Sequence, residues 1–279
     1  MINVAILKIP NPLYTHNMYW DYLILLSIVQ GITEFIPVSS SAHLTLIQHF
    51  SPLEQSVDID LSLHIGSLIA LITYLIRKSR LSQNTILHGD YAFLTKKNVF
   101  ALITISAIPT IILAYFFLNN DLMGSIRENI QLLAWLNLFF AILLLIADFK
   151  RKTTHKIIKY EDVLTLAIFQ CLSLFPGVSR SGICITVSRF IGFGRKESSI
   201  IAVIMSLPIM LSSLIYLIFK IFGGASFDLT ISILISVLLS FIASYLSIII
   251  IIEFIERIKI YPYVVYRIFL SLLILLFVN

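Results

Sequence analysis

Apolar segments recur along nearly the whole chain, and about ten are delimited by polar turns: 20–36, 42–50, 61–77, 98–118, 130–148, 162–175, 182–193, 198–219, 229–252 and 262–278. Roughly 20 helical residues cross the hydrocarbon core of a bilayer. A water-soluble globule cannot cover this much apolar surface, because some of it must always face outward. With 58% hydrophobic and 13% charged residues over 279 positions, lipid is the solvent that removes the difficulty. The expected fold is therefore an all-α integral membrane protein, with one membrane domain over 1–279. The stretch from Met1 to Tyr19 lacks a basic region followed by a long apolar run and a small-residue cleavage site, so no removable signal peptide is expected.

Four segments are poor candidates for full spans. Segments 42–50, 162–175 and 182–193 are too short, and 20–36 carries Asp21, Gln30 and Glu34. These four form two pairs, each joined by a Pro/Ser turn: Pro37-Val-Ser-Ser-Ser41 and Pro176-Gly-Val-Ser-Arg-Ser-Gly182. Short paired helices with a polar break read as re-entrant hairpins, since irregular backbone survives at membrane depth only inside protein or along a wet cavity. The expectation is about six transmembrane helices plus two re-entrant helical hairpins.

The formal charge is +5, with a pI near 9.1. The basic residues sit in short loops: Arg77, Lys78, Arg80, Lys96 and Lys97 in 77–97, Lys150, Arg151, Lys152, Lys156 and Lys159 in 149–160, Arg195 and Lys196 in 194–197, Arg257 and Lys259 in 255–261. That distribution follows the positive-inside rule and argues against a nucleic-acid partner. If each hairpin enters and leaves on one side, all these loops fall in the cytoplasm. Both termini then lie outside, the first hairpin enters from outside, and the second enters from the cytoplasm.

The two turns also resemble each other. Gln30 lies seven residues before Pro37 and Gln170 six before Pro176; Ser39-Ser40-Ser41-Ala42 aligns with Ser179-Arg180-Ser181-Gly182, and Thr45 with Thr186. Tyr74-Leu-Ile-Arg-Lys78 is echoed by Tyr216-Leu-Ile-Phe-Lys220. The offset of about 140 residues divides the chain into halves of roughly 20–148 and 162–278. With the topology above, the halves are inverted repeats, an arrangement that places a binding site near the midplane where helix termini face the ligand.

The residues that carry chemistry cluster at these turns. Gln30 and Glu34 stand four apart on one helix face, with Ser27 one turn below. A carboxylate inside an apolar helix is costly and usually faces a site or a wet cavity. Ser39, Ser40, Ser41 and His43 follow Pro37; one serine caps a helix, and three with a histidine exceed that need. Free amides at a helix start attract anions. The second turn adds Arg180, whose planar fork suits phosphate, beside Ser179 and Ser181, while Gly177 and Gly182 allow close backbone approach. One carboxylate, one imidazole, one guanidinium, several hydroxyls and two helix starts make an anion site with acid–base chemistry at hand.

At these residues the chain resembles the undecaprenyl-diphosphate phosphatase family, also called bacitracin resistance proteins. The match rests on Gln30-Gly-Ile-Thr-Glu34-Phe-Ile-Pro-Val-Ser-Ser-Ser-Ala-His43 and on Pro176 to Gly182, and extends over nearly the full chain in size and hydropathy. Gln30 stands where many members have glutamate, Ala42 where glycine is common, His64 where glutamine is usual and Asp60 where glutamate is common. The resemblance implies hydrolysis of a polyprenyl diphosphate to its monophosphate and inorganic phosphate, recycling the lipid carrier of cell-wall synthesis and conferring bacitracin resistance. It implies a bacterial inner (plasma) membrane location, a site open to the extracytoplasmic side, and a divalent cation, Mg²⁺ or Ca²⁺. Glu34 and, more weakly, Gln30 are the candidate ligands. A homodimer is compatible with a sequence that is silent on oligomeric state.

On this reading Arg180 clamps the diphosphate, Glu34 holds the cation or acts as general base, and His43 is the nucleophile or protonates the leaving oxygen. Ser40 positions a phosphate oxygen or attacks phosphorus. Gln30, Ser39, Ser41, Gly177, Ser179, Ser181 and Gly182 complete the substrate cradle. The sequence leaves histidine, serine and water open as nucleophile. Asp60 and His64 fall near the cavity mouth, as support or as packing; Arg189 is a candidate for the second hairpin's cavity; Asp148, Glu253 and Glu256 read as interface charges paired locally; Cys171 and Cys184 read as small buried hydrophobes. The alternative function is a transporter or flippase for a phosphorylated lipid or anion, because inverted repeats suit transporters.

Overall fold

The apolar segments fold as helices. The computed structural model describes residues 16–51, 57–81, 94, 96–119, 129–149, 157–224 and 227–277. Among them are ten α-helices and no strand: α1 (His16–Thr33), α2 (Ser40–Phe50), α3 (Val57–Leu81), α4 (Lys96–Asn119), α5 (Ile130–Asp148), α6 (Tyr160–Gln170), α7 (Arg180–Ile191), α8 (Arg195–Phe222), α9 (Phe227–Ile258) and α10 (Tyr261–Phe277). A 3-10 turn, Cys171–Leu174, continues α6.

Among the described residues, five helices are long and apolar enough to cross a membrane: α3, α4, α5, α8 and α9. At 17 residues, α10 sits at the lower limit for crossing. The partners in the two pairs are short: α2 and α6 have 11 residues and α7 has 12. They do not span 30 Å of hydrocarbon at about 1.5 Å per residue. The protein is thus an all-helical, multi-pass membrane protein with short helices beside the two Pro/Ser breaks.

Several helices outrun their apolar segments. Arg77 is still helical, Arg195 and Lys196 open α8, and α9 runs through Glu253, Glu256 and Arg257 to Ile258. The expected loop 255–261 therefore shrinks to Lys259 and Ile260, with Lys259 in a left-handed conformation at φ 65°. Charged residues at the end of a membrane helix keep their backbone hydrogen bonds while their side chains reach water. Arg77, Lys78 and Arg80 close α3 and Lys96 and Lys97 open α4, whereas Lys150, Arg151, Lys152 and Lys156 of loop 149–160 lie outside the described residues.

Contacts between helices exchange across the chain. In the two sets α1–α5 and α6–α10, the first helix of each packs on the fourth of the other, α1 against α9 and α6 against α4, while α5 pairs with α10 and α3 with α8. Small residues allow the close approach. A Cβ on Gly66 would lie 2.4 Å from the Val237 carbonyl, and one on Gly31 would lie 2.5 Å from Ala243 Cβ. Ser67, Ser240 and Ser244 hydrogen-bond across the α3–α9 contact. The two breaks, α2, the first turns of α3 and α7, and Ile209 and Ser213 of α8 line a cavity of about 650 Å³.

Candidate active site

The two breaks have the same construction. Ser39 is the N-cap of α2 with φ 71°, and Ser179 is the N-cap of α7 with φ 68°. A left-handed conformation is uncommon for a residue other than glycine, costs of the order of 1–3 kcal/mol, and clusters at functional sites. Each serine hydroxyl accepts from the amide three residues on, Ala42 N at 3.4 Å and Gly182 N at 3.1 Å. Each also meets the hydroxyl two residues on, Ser41 at 3.2 Å and Ser181 at 3.3 Å. The elbows touch directly: Ser181 Oγ donates to the Ile36 carbonyl at 3.0 Å.

This contact brings the charged groups together. Arg180 Nη2 donates to Glu34 Oε1 at 2.6 Å. Ser40 Oγ donates to Glu34 Oε2 at 2.9 Å, and Gln30 Nε2 to the same oxygen at 2.6 Å. Gln30 and Glu34 therefore share a face, as their spacing requires, and both are buried. Glu34, Ser40, Ser41, Ser179, Arg180 and Ser181 line the cavity. A carboxylate 6% exposed among apolar helices keeps its charge only against a cation and several donors, and it has both. Asp60 and His64 are also on the cavity wall, and His64 Nε2 lies 3.9 Å from Glu34 Oε2.

Other expected residues lie elsewhere. His43 is not on the cavity wall: its Nδ1 meets the Ser39 carbonyl at 2.8 Å and its Nε2 meets the Tyr266 hydroxyl at 2.6 Å. A carbonyl only accepts, so Nδ1 carries a proton, and in the neutral ring Nε2 accepts from Tyr266. Helical spacing puts His43 near the serines without saying which way the ring turns. Gly177 and Gly182 serve packing between protein elements. A Cβ on Gly177 would meet the Leu133 carbonyl at 2.4 Å, and one on Gly182 would meet Arg267 Nη1 at 2.8 Å. Gln170, the counterpart of Gln30, is spent on tying α6 to α4 through Ser106 O and Thr110 Oγ1. Arg189 donates to Phe193 O and Asp148 O and does not line the cavity. Asp148 is gripped by both Arg195 Nε at 2.7 Å and Nη2 at 2.9 Å.

Three residues escaped the sequence reading: Arg267, Tyr266 and Asn137. Arg267 is fully buried and donates to Asn137 Oδ1, Gly177 O and Val178 O. The signal was present, since Arg267 lies inside the apolar segment 262–278 and a charge there demands a reason.

The cation implied by the resemblance can be tested against these donors. A hard divalent cation takes about six oxygen ligands. Among the described residues no group of three His, Cys, Asp or Glu gathers to hold a metal. The one carboxylate at the centre already accepts from Arg180, Ser40 and Gln30. These side chains do not make a metal site of their own.

Comparison with known proteins gives a consistent picture. The profile of the family described as bacitracin resistance protein BacA matches residues 23–273. The chain is 35% identical over 260 residues to an undecaprenyl-diphosphatase of Pelagibacter ubique, covering 92% of this chain and 96% of that one. It is 32% identical to an undecaprenyl-diphosphatase of Ruegeria, covering 91% and 96% of the two chains. An undecaprenyl-diphosphatase of Geotalea daltonii is also 32% identical, at 91% and 97% coverage.

Proposed function

The chain belongs to the bacitracin resistance protein BacA family, and from that premise we propose that it hydrolyses undecaprenyl diphosphate to undecaprenyl phosphate and inorganic phosphate. It thereby returns the lipid carrier to cell-wall synthesis and confers resistance to bacitracin. The observation that carries this reading is the meeting of Glu34, Ser40 and Arg180 on one cavity wall. Pure binding of an anion needs the guanidinium and the hydroxyls. A carboxylate that accepts from a serine hydroxyl adds a base beside a nucleophile, which a carrier of phosphorylated lipid does not require.

In the mechanism we propose, the diphosphate enters with its phosphates against Arg180 and the hydroxyls of Ser41, Ser179 and Ser181. Ser40 Oγ attacks the terminal phosphorus while Glu34 takes its proton. The bond from that phosphorus to the bridging oxygen breaks, and the bridging oxygen leaves on the lipid monophosphate. Water then cleaves the phosphoseryl ester, restoring the Ser40 hydroxyl and releasing inorganic phosphate. Arg180 offsets the charge that gathers on the phosphoryl oxygens; such reactions are mostly positioning and electrostatics. The two sets of helices, inverted about the midplane, form a single membrane domain in the bacterial inner membrane, with the cavity open to the extracytoplasmic side.

The test is release of phosphate, read by malachite green, from undecaprenyl or farnesyl diphosphate by the purified protein in detergent. Release by the wild type with loss in Arg180→Ala supports the proposal. A folded wild-type protein that binds the diphosphate without cleaving it would return the transporter reading.

A further inference from the structure

We infer that Tyr266 and Arg267, adjacent residues of α10, are positioning residues for this reaction, each holding one of the two elbows. The inference rests on the reading of the cavity as the place of diphosphate hydrolysis.

Neither residue lines the cavity. Arg267 is nevertheless fully buried, and its hydrogen bonds all go to neutral groups: Nε to Asn137 Oδ1 at 2.8 Å, Nη2 to Gly177 O at 2.8 Å and to Val178 O at 3.2 Å. Burying a guanidinium among apolar helices without a carboxylate opposes folding, so its two backbone partners need an explanation. Those partners are the carbonyls just before Ser179. In a trans peptide plane the carbonyl and the next amide point in opposite directions. With the Val178 carbonyl drawn toward Arg267, the Ser179 amide turns the other way. The same pull holds Ser179 in its left-handed conformation at φ 68°. Asn137 fixes the arginine in turn, donating to the Arg267 carbonyl at 3.2 Å and to Ser271 Oγ at 2.9 Å.

Tyr266 acts on the other elbow by one relay. Its hydroxyl bonds His43 Nε2 at 2.6 Å, the rings stack with centroids 5.5 Å apart, and His43 Nδ1 bonds the carbonyl of the strained Ser39 at 2.8 Å. One helical step on α10 thus grips the carbonyl side of both elbows. The separation of Glu34 and Ser40 from Arg180 is set from behind, by residues the substrate does not touch.

The experiment measures kcat and KM for farnesyl diphosphate in purified Tyr266→Phe and Arg267→Lys proteins, with circular dichroism and thermal melting as controls for folding. Tyr266→Phe removes one hydroxyl and keeps the ring, so it tests the inference even where Arg267→Lys fails to fold. We expect kcat to fall about tenfold in Tyr266→Phe and about a hundredfold in Arg267→Lys, the scale expected for misplaced reacting groups, with KM within about twofold of wild type. Folded variants with wild-type kcat overturn the inference. So does a raised KM at unchanged kcat, which marks residues that touch the substrate. A wild-type protein that releases no phosphate fails the underlying reading instead, and the two failures are told apart by that control.

Discussion

Arg180 and Glu34, 146 residues apart in the chain, meet at 2.6 Å and join the two elbows by an ion pair buried in the membrane domain. Such a pair does two jobs at once. It makes the carboxylate tolerable at this depth, and it holds the guanidinium where an incoming diphosphate must arrive. The two residues should therefore fail differently when altered. In Glu34→Gln the shape survives and Arg180 loses its anionic partner. Phosphate release should fall about 10²- to 10⁴-fold, the range for loss of a positioned base. Inhibition by inorganic phosphate should be undiminished or stronger, because the guanidinium is freed for it. Steady-state rates with phosphate as competitor check both. Arg180→Lys should not rescue Arg180→Ala, since an ammonium cannot hold a carboxylate and a phosphate with one planar fork.

Ser40 is the group on which the chemical route turns. Its hydroxyl donates to Glu34 Oε2 at 2.9 Å, the geometry from which the carboxylate removes its proton. Quenching the enzyme with acid during turnover should trap a phosphoserine at position 40, stable to acid and labile to alkali. Ser40→Ala should lose roughly 10³-fold or more in rate, as removal of a covalent nucleophile does. Ser40→Ala within about tenfold of wild type, with nothing trapped, would hand the attack to water.

His43 separates a positioning role from a chemical one. Its two nitrogens are occupied by Ser39 O and Tyr266 OH, and its ring is off the cavity wall. Glutamine offers one donor and one acceptor at comparable reach. His43→Gln should keep turnover within about tenfold of wild type, while His43→Ala, which releases both partners, should lose more. A nucleophilic imidazole would make the two variants equally inactive.

The site was largely legible in the sequence because membranes make polar residues conspicuous. Gln30, Glu34, the serine runs and Arg180 interrupt apolar segments, and the cost of placing them there pointed to a shared cavity. The short segments 42–50 and 182–193 announced short helices, and α2 and α7 have 11 and 12 residues. Spacing along a helix could not tell which way His43 faces, because that depends on α10, more than two hundred residues away. Arg267 stood in plain view but at one residue from Tyr266, near the start of its segment, where a cation is usually read as reaching for the interface. Gly177 and Gly182 were recognised as places of close approach; that they approach α5 and Arg267 and not a ligand is a fact of packing that only the assembled helices contain.

Those two glycines give the last prediction, and they should behave differently from each other. Gly177 sits at φ 88°, and a Cβ there would lie 2.4 Å from the Leu133 carbonyl of α5, a backbone atom that cannot yield. Strain and overlap together make Gly177→Ala destabilising by about 3 kcal/mol. Loss of folded protein on heating in detergent measures it. Gly182 has no such conformational demand and lies within the first turn of α7, where alanine is the better helix former by about 1 kcal/mol. Its Cβ would meet Ser179 Cβ and Oγ at 3.1 Å and, at 2.8 Å, Arg267 Nη1, the end of a side chain already held by Asn137, Gly177 and Val178. Gly182→Ala should therefore push Arg267 off the elbow carbonyls and lower kcat, with a smaller loss of melting temperature than Gly177→Ala because no backbone atom blocks it. A folded variant with normal turnover would mean that the Ser179 elbow keeps its shape without the guanidinium.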